Sequence, residues 1–133
     1  MTVKAWGTGL SDVFVQISKG MWSLILGDHM VPCHRKWIIE TYAMDVEELL
    51  VNFLNEQILL LEVNGLAVSD IEEIVIEQVS TSENASGCKF HLRSTMLGSR
   101  LPEVNIEPEI QIKAATFYEI QVNPTHAQVT FDV

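Results

Sequence analysis

Asp45-Val46-Glu47-Glu48-Leu49-Leu50-Val51-Asn52-Phe53-Leu54-Asn55-Glu56-Gln57-Ile58-Leu59-Leu60-Leu61 is the stretch whose reading decides the fold. Asp45 can accept a bond from the backbone of Glu48, and the Glu48 side chain can return one to position 45, so the pair forms a capping box that starts a helix. Val46, Leu49, Leu50, Phe53, Leu54, Ile58 and Leu61 follow at helical spacing and make one continuous apolar face. Gly65, just after Asn64, is the natural stop.

Toward the start of the chain, Val3 to Trp6 reads as a short extended segment closed by the turn residues Gly7-Thr8-Gly9. From Leu10 the apolar residues Val13, Phe14, Ile17, Met21, Leu24 and Ile25 trace a second amphipathic helix, which Gly27 ends. Gly20 lies within that stripe at a cost of about 1 kcal/mol relative to Ala, which predicts close packing against a sheet. Trp22 falls off the stripe and is expected to be exposed, where it could support self-association together with an edge strand. After Pro32, Lys36 to Tyr42 suits a strand with one covered face.

Beyond the central helix the chain reads as strands: Ile71 to Val79, Lys89 to Met96, Glu109 to Phe117, Glu119 to Val122 and Gln128 to Val133. Apolar residues largely alternate in Ile71-Glu-Glu-Ile-Val-Ile-Glu and Glu109-Ile-Gln-Ile-Lys-Ala, so one sheet face is buried and the other is wet or edge-like. The reading is an α+β layered fold, two amphipathic helices packed on a mostly antiparallel β-sheet, in a single domain over residues 1–133.

Composition limits the function. The 133 residues are 47% apolar and 20% charged, enough for one compact core. Eighteen acidic against eight basic residues give a net charge of -10, which repels nucleic acid and suits a basic protein surface or a divalent cation. Cys33 and Cys88 are too few for a disulfide framework, and no start segment has the pattern of a secretion signal. The cytoplasm is therefore the expected compartment, and since the longest apolar runs fall far below the roughly 20 residues a membrane span needs, a soluble protein is expected. Asn84-Ala85-Ser86 matches a glycosylation acceptor, but without a secretory signal it reads as loop.

Several constellations could carry chemistry. His29, Cys33 and His34 are the tightest set of soft ligands, but a structural zinc site needs four, and Cys88 and His91 could complete one only if the fold brought them near. This motivates an alternative reading as a small metal-dependent hydrolase using His29, His34, His91 and carboxylates, or as a non-catalytic interaction scaffold. Glu47-Glu48 lie in a helix first turn, where they complement the dipole, and Glu72-Glu73 read as a solvent face. Gly7-Thr8-Gly9 lacks the spacing and the Lys-Ser of a phosphate loop. Lys4 with Trp6 and Lys36 with Trp37 do not make a nucleic-acid platform on so acidic a chain. Asp132 differs, because apolar Phe131 and Val133 beside it force its side chain to one face of a strand, where it could hold Ca²⁺ or Mg²⁺ with further oxygen donors. Glu56, Asp12 and the backbone are the candidate partners.

Lys4-Ala-Trp6-Gly7, the helix from Asp45 to Glu56, Lys113-Ala-Ala-Thr116 and Phe131-Asp132-Val133 together resemble the archease family in order and spacing. The resemblance implies a non-enzymatic protein cofactor that activates an RNA-splicing (tRNA) ligase, promoting its guanylylation and turnover with a divalent metal. It also implies an ion site shared between Asp132 and an Asp of a His-Thr-Ala-Asp run on the first strand. Alignment through Trp6-Gly7 sets that Asp just before Met1, which is the expectation either for a divergent member with a degraded metal site or for a start lying upstream. Tyr118 stands where the family usually has His.

Overall fold

The computed structural model describes residues 1–79 and 87–133, so the Asn84-Ala85-Ser86 tripeptide lies outside the described residues. The elements run β1 (Thr2–Trp6), α1 (Leu10–Leu26), β2 (Arg35–Ala43), α2 (Val46–Asn64), β3 (Leu66–Gln78), β4 (Phe90–Arg100), α3 (Leu101–Val104), β5 (Ala114–Val122) and β6 (His126–Asp132). The fold is α+β, with two antiparallel three-stranded sheets ordered β1-β6-β5 and β2-β4-β3.

Each long helix touches strands of both sheets: α1 meets β1, β6 and β3, while α2 meets β5 and all three strands of the second sheet. The helices are therefore a middle layer. That explains why α2 buries Leu49, Leu50, Val51, Phe53, Leu54 and Ile58, a wider apolar surface than a helix covered on one side requires. It also corrects the expectation for Trp22. The indole is only 5% exposed, because the second sheet covers the side of α1 that the main stripe leaves open. Its Nε1–H donates to Gln57 Oε1 at 2.8 Å, and the Ser18 hydroxyl donates to the same oxygen at 2.8 Å, so one buried amide ties α1 to α2.

Local signals mostly act as expected in the helices, although the Glu48 carboxylate accepts from the Met44 N–H at 3.4 Å instead of from position 45. Asp45 Oδ1 accepts from the Glu48 N–H at 2.8 Å, and Gly65 takes the left-handed φ of 70° that turns the chain directly into β3. A Cβ on Gly20 would stand 2.6 Å from Val3 Cγ1, so the missing side chain lets α1 lie close on β1.

Strand boundaries differ more. The second sheet takes up the chain at Leu66 rather than Ile71, immediately after the turn. Glu109 to Lys113 is not strand: the N–H groups of Glu109 and Ile110 bond to Ile25 O at the end of α1, so the apolar alternation there serves packing instead of a ladder. From Ala114 the strand runs unbroken to Val122, with its pairing to β6 shifted between Thr116 and Gln121, where Glu119 adopts φ 50°.

Candidate functional site

The first sheet is set by its pleat. Along β6, Ala127, Val129 and Phe131 are buried against the helices, which turns His126, Gln128, Thr130 and Asp132 to the opposite face. The Asp132 carboxylate is exposed at the end of this row, with Ala114 across from it and its own carbonyl oxygen accepting from Lys113 N–H at 2.7 Å. The next row is hydroxyl-rich: Thr2 and Thr130 are 3.2 Å apart through their oxygens, and Thr116 Oγ1 donates to Thr130 O at 2.8 Å. Exposed aromatics occupy the far rows, Trp6 at 68% and, in the β5 bulge, Tyr118 at 67%.

The candidate oxygen partners do not join Asp132. Asp12 lies by Thr8, beside the Thr125 end of β6, roughly 20 Å away at ~3.3 Å per residue. There it accepts from the Thr8 N–H at 2.9 Å, the Thr8 hydroxyl and the Gln16 amide. The Thr8 backbone bond above all, then Gln16, holds its carboxyl below the usual aspartate value. Glu56 is half-buried on α2, in the helix layer beneath the sheet, whereas Asp132 faces away from that layer. Its neighbour Asn55 is the residue that reaches the sheet. The Asn55 amide accepts from Ala115 N–H at 2.7 Å and donates to Ala115 O at 3.3 Å, closing the edge of β5 one residue from Asp132's partner Ala114.

A divalent ion of the kind the resemblance implies takes six or more oxygens in the case of Ca²⁺, or a near-octahedral shell for Mg²⁺. Among the described residues no group of three His, Cys, Asp or Glu side chains could hold a metal ion. β1 pairs with β6 from Thr2 opposite Thr130, so among the described residues no β1 side chain stands across from Asp132. The residues present do not fit the ion.

The histidines are likewise dispersed. His29 pairs with Glu109 at 3.7 Å, and His34 stands at the entry to β2, its N–H donating to Ser99 Oγ. His91 is opposite Tyr42, seven residues along β4 from the Gly98–Arg35 pair, or roughly 23 Å at ~3.3 Å per residue. Cys33 contacts Ser69 Oγ at 2.9 Å and Cys88 is half-buried in the segment before β4. Among the paired acids, Glu48 is half-buried in the first turn of α2 and accepts from the Met44 N–H at 3.4 Å, and the exposed Glu72 pairs with Lys36 at 2.9 Å.

Two arrangements escape a reading of the residues alone. The outer face of the second sheet gathers His91 between Glu40 (2.9 Å) and Glu77 (3.2 Å), with the Tyr42 ring stacked at 4.5 Å and Arg93 at 4.0 Å from Glu40. The bond from His91 holds the Glu40 carboxyl below its ordinary range, while desolvation and then the Glu40 charge push Tyr42 up. Cross-strand register creates this group, and no local spacing announces it. The second arrangement is a groove of about 820 Å³ between the end of α2 and residues 101–112. Its floor includes Ile58, Leu61, Ile106 and Ile110, and its wall leads through Ile112 to Lys113 beside Asp132.

No described helix is long and apolar enough to cross a membrane. Archease from Pyrococcus abyssi is 24% identical over 120 residues, covering 90% of this chain and 79% of that protein. Archease from Thermococcus kodakarensis is 23% identical with the same coverage. The solution structure of Methanobacterium thermoautotrophicum protein 1598 superposes with a TM-score of 0.69 at 21% identity, over 99% of this chain and 91% of that one. A Thermotoga maritima crystal structure described as "an archease, possible chaperone" superposes with a TM-score of 0.58 at 14% identity, over 100% and 90%. The sequence pattern of the Archease protein family (MTH1598/TM1083) matches residues 1–133, and the chain belongs to that family.

Proposed function

We propose that this protein is a non-catalytic partner of an RNA-splicing ligase, which it activates by docking rather than by supplying chemistry. The observation that carries the reading is the family match across all 133 residues. The net charge of -10 supports it, because such a surface disfavours RNA and favours a basic protein face. Asp132 is the residue offered to the partner: exposed, at the end of its strand, and without an ion pair among the described residues. Binding that is tighter to the guanylylation-competent conformation of the ligase raises the population of that conformation, and the ligase performs the reaction.

The test is the rate of ligase guanylylation and of multiple-turnover RNA joining, with and without the protein. Stimulation is the expected result. Asp132→Ala is expected to reduce it at least about tenfold, the loss typical of one truncated charge contact at an interface. The circular dichroism spectrum should not change, since Asp132 contributes only its backbone to the sheet. An unchanged ligase rate at saturating protein would refute the reading.

A further inference from the structure

We infer that the groove between the end of α2 and residues 101–112 is a docking site for a cationic amphipathic segment of a protein partner. Its floor is aliphatic, with Ile58 and Leu101 buried and Leu61, Ile106 and Ile110 half-buried. Its rim is acidic, carrying Glu62, Glu107 and Glu109. Among the described residues Glu62 and Glu107 form no ion pair, and Glu109 has only His29 at 3.7 Å. Glu62 is moreover in the last turn of α2, which has no basic residue, so its charge lies at the negative pole of the helix dipole, where it is locally unfavourable. Arg100 Nε donates to Asn64 O at 2.9 Å at this helix end, but its guanidinium also bonds Glu103 and leaves Glu62 unpaired.

An aliphatic floor inside an acidic rim, two of whose three carboxylates form no ion pair among the described residues, is complementary to one kind of occupant: aliphatic side chains flanked by Lys or Arg. Burial of the floor supplies affinity, and the rim supplies orientation and rejects acidic sequences. The volume of about 820 Å³ is ample for several side chains. The inference rests on the ligase reading only in taking the occupant to be a protein.

The probe is a synthetic peptide of about twelve residues with Leu along one face and Arg on the other, titrated into the full chain labelled with ¹⁵N. Chemical-shift changes are expected at residues 58–65 and 101–112, with binding that weakens as salt is added. The double variant Glu62→Lys, Glu107→Lys, altered only at exposed positions, is expected to bind about tenfold more weakly. Equal binding of a peptide with Glu in place of Arg would overturn the inference. So would shifts spread over the whole acidic surface, undiminished affinity in the double variant, or concentration-dependent shifts at these residues without peptide, which would indicate a second copy as occupant. Lost peptide binding with Asp132-dependent ligase stimulation intact would sink the groove alone. Absent stimulation with peptide binding intact would sink the ligase reading and leave the groove standing.

Discussion

Asn55 does for the free edge of β5 what a neighbouring strand would do, since its amide both accepts from and donates to the Ala115 peptide. The bonds link the two segments most characteristic of the resemblance, the central helix and Lys113-Ala-Ala-Thr116, and they set the position of Ala114 opposite Asp132. Replacing Asn55 with Ala removes both and leaves the partly buried Ala115 N–H unmet, for an expected loss of about 2 kcal/mol in urea denaturation. Asn55→Asp should recover part of it by restoring the acceptor alone. Recovery absent from the Asp variant would show that the helix is held by packing rather than by this amide. The outward direction of Asp132 was readable at this scale, because apolar Phe131 and Val133 leave the strand only one choice of face. The hydrogen bonds of Gln57 to Ser18 and Trp22 were not, because Gln57 meets them only when two helices pack.

At the scale of elements, Gly98 shows how closely β4 lies beside β3. A Cβ there would fall 1.8 Å from the Ala67 carbonyl oxygen and 2.9 Å from Trp37 Cη2, close to the register shift between Val68 and Asp70. Backbone cannot yield as a flexible side chain can, so Gly98→Ala is expected to destabilise by about 3 kcal/mol or more. The urea midpoint should fall with the slope unchanged, and a variant as stable as the parent would contradict this packing. Both helices and the strand character of most later segments were legible from periodicity and caps. The division into two sheets was not. Its one trace in the sequence is the breadth of apolar surface on α2, where Leu49, Leu50 and Val51 are consecutive and all buried. Residues 109–113 misled for a related reason, because alternating isoleucines fit a strand and an extended packing segment equally well. The groove was illegible because its walls come from a helix end and from that non-strand segment, distant in sequence.

For the molecule as a whole, acid is the condition that tests the charge arrangement. Arg35 bonds Glu103 and, with Arg100, holds its carboxyl below the ordinary glutamate value of 4.5, joining β2, β4 and α3. A depressed folded-state value means the contribution is full above about pH 4.5 and is lost as pH falls through the lower folded-state value. The melting temperature of Glu103→Gln should therefore lie below that of the parent at pH 7, and the gap should close in acid. A gap that widens in acid would mean the pair is not what stabilises this corner. The pairing of β1 with β6 also has a consequence in time. Of the described elements β1 is synthesised before all others, yet its partner at residues 126–132 is made after them, so the first sheet cannot close while the ribosome is still adding that partner. Until then α1 presents to the cell the apolar side that this sheet will cover, and nascent chains stalled before His126 should engage chaperones that completed chains no longer bind.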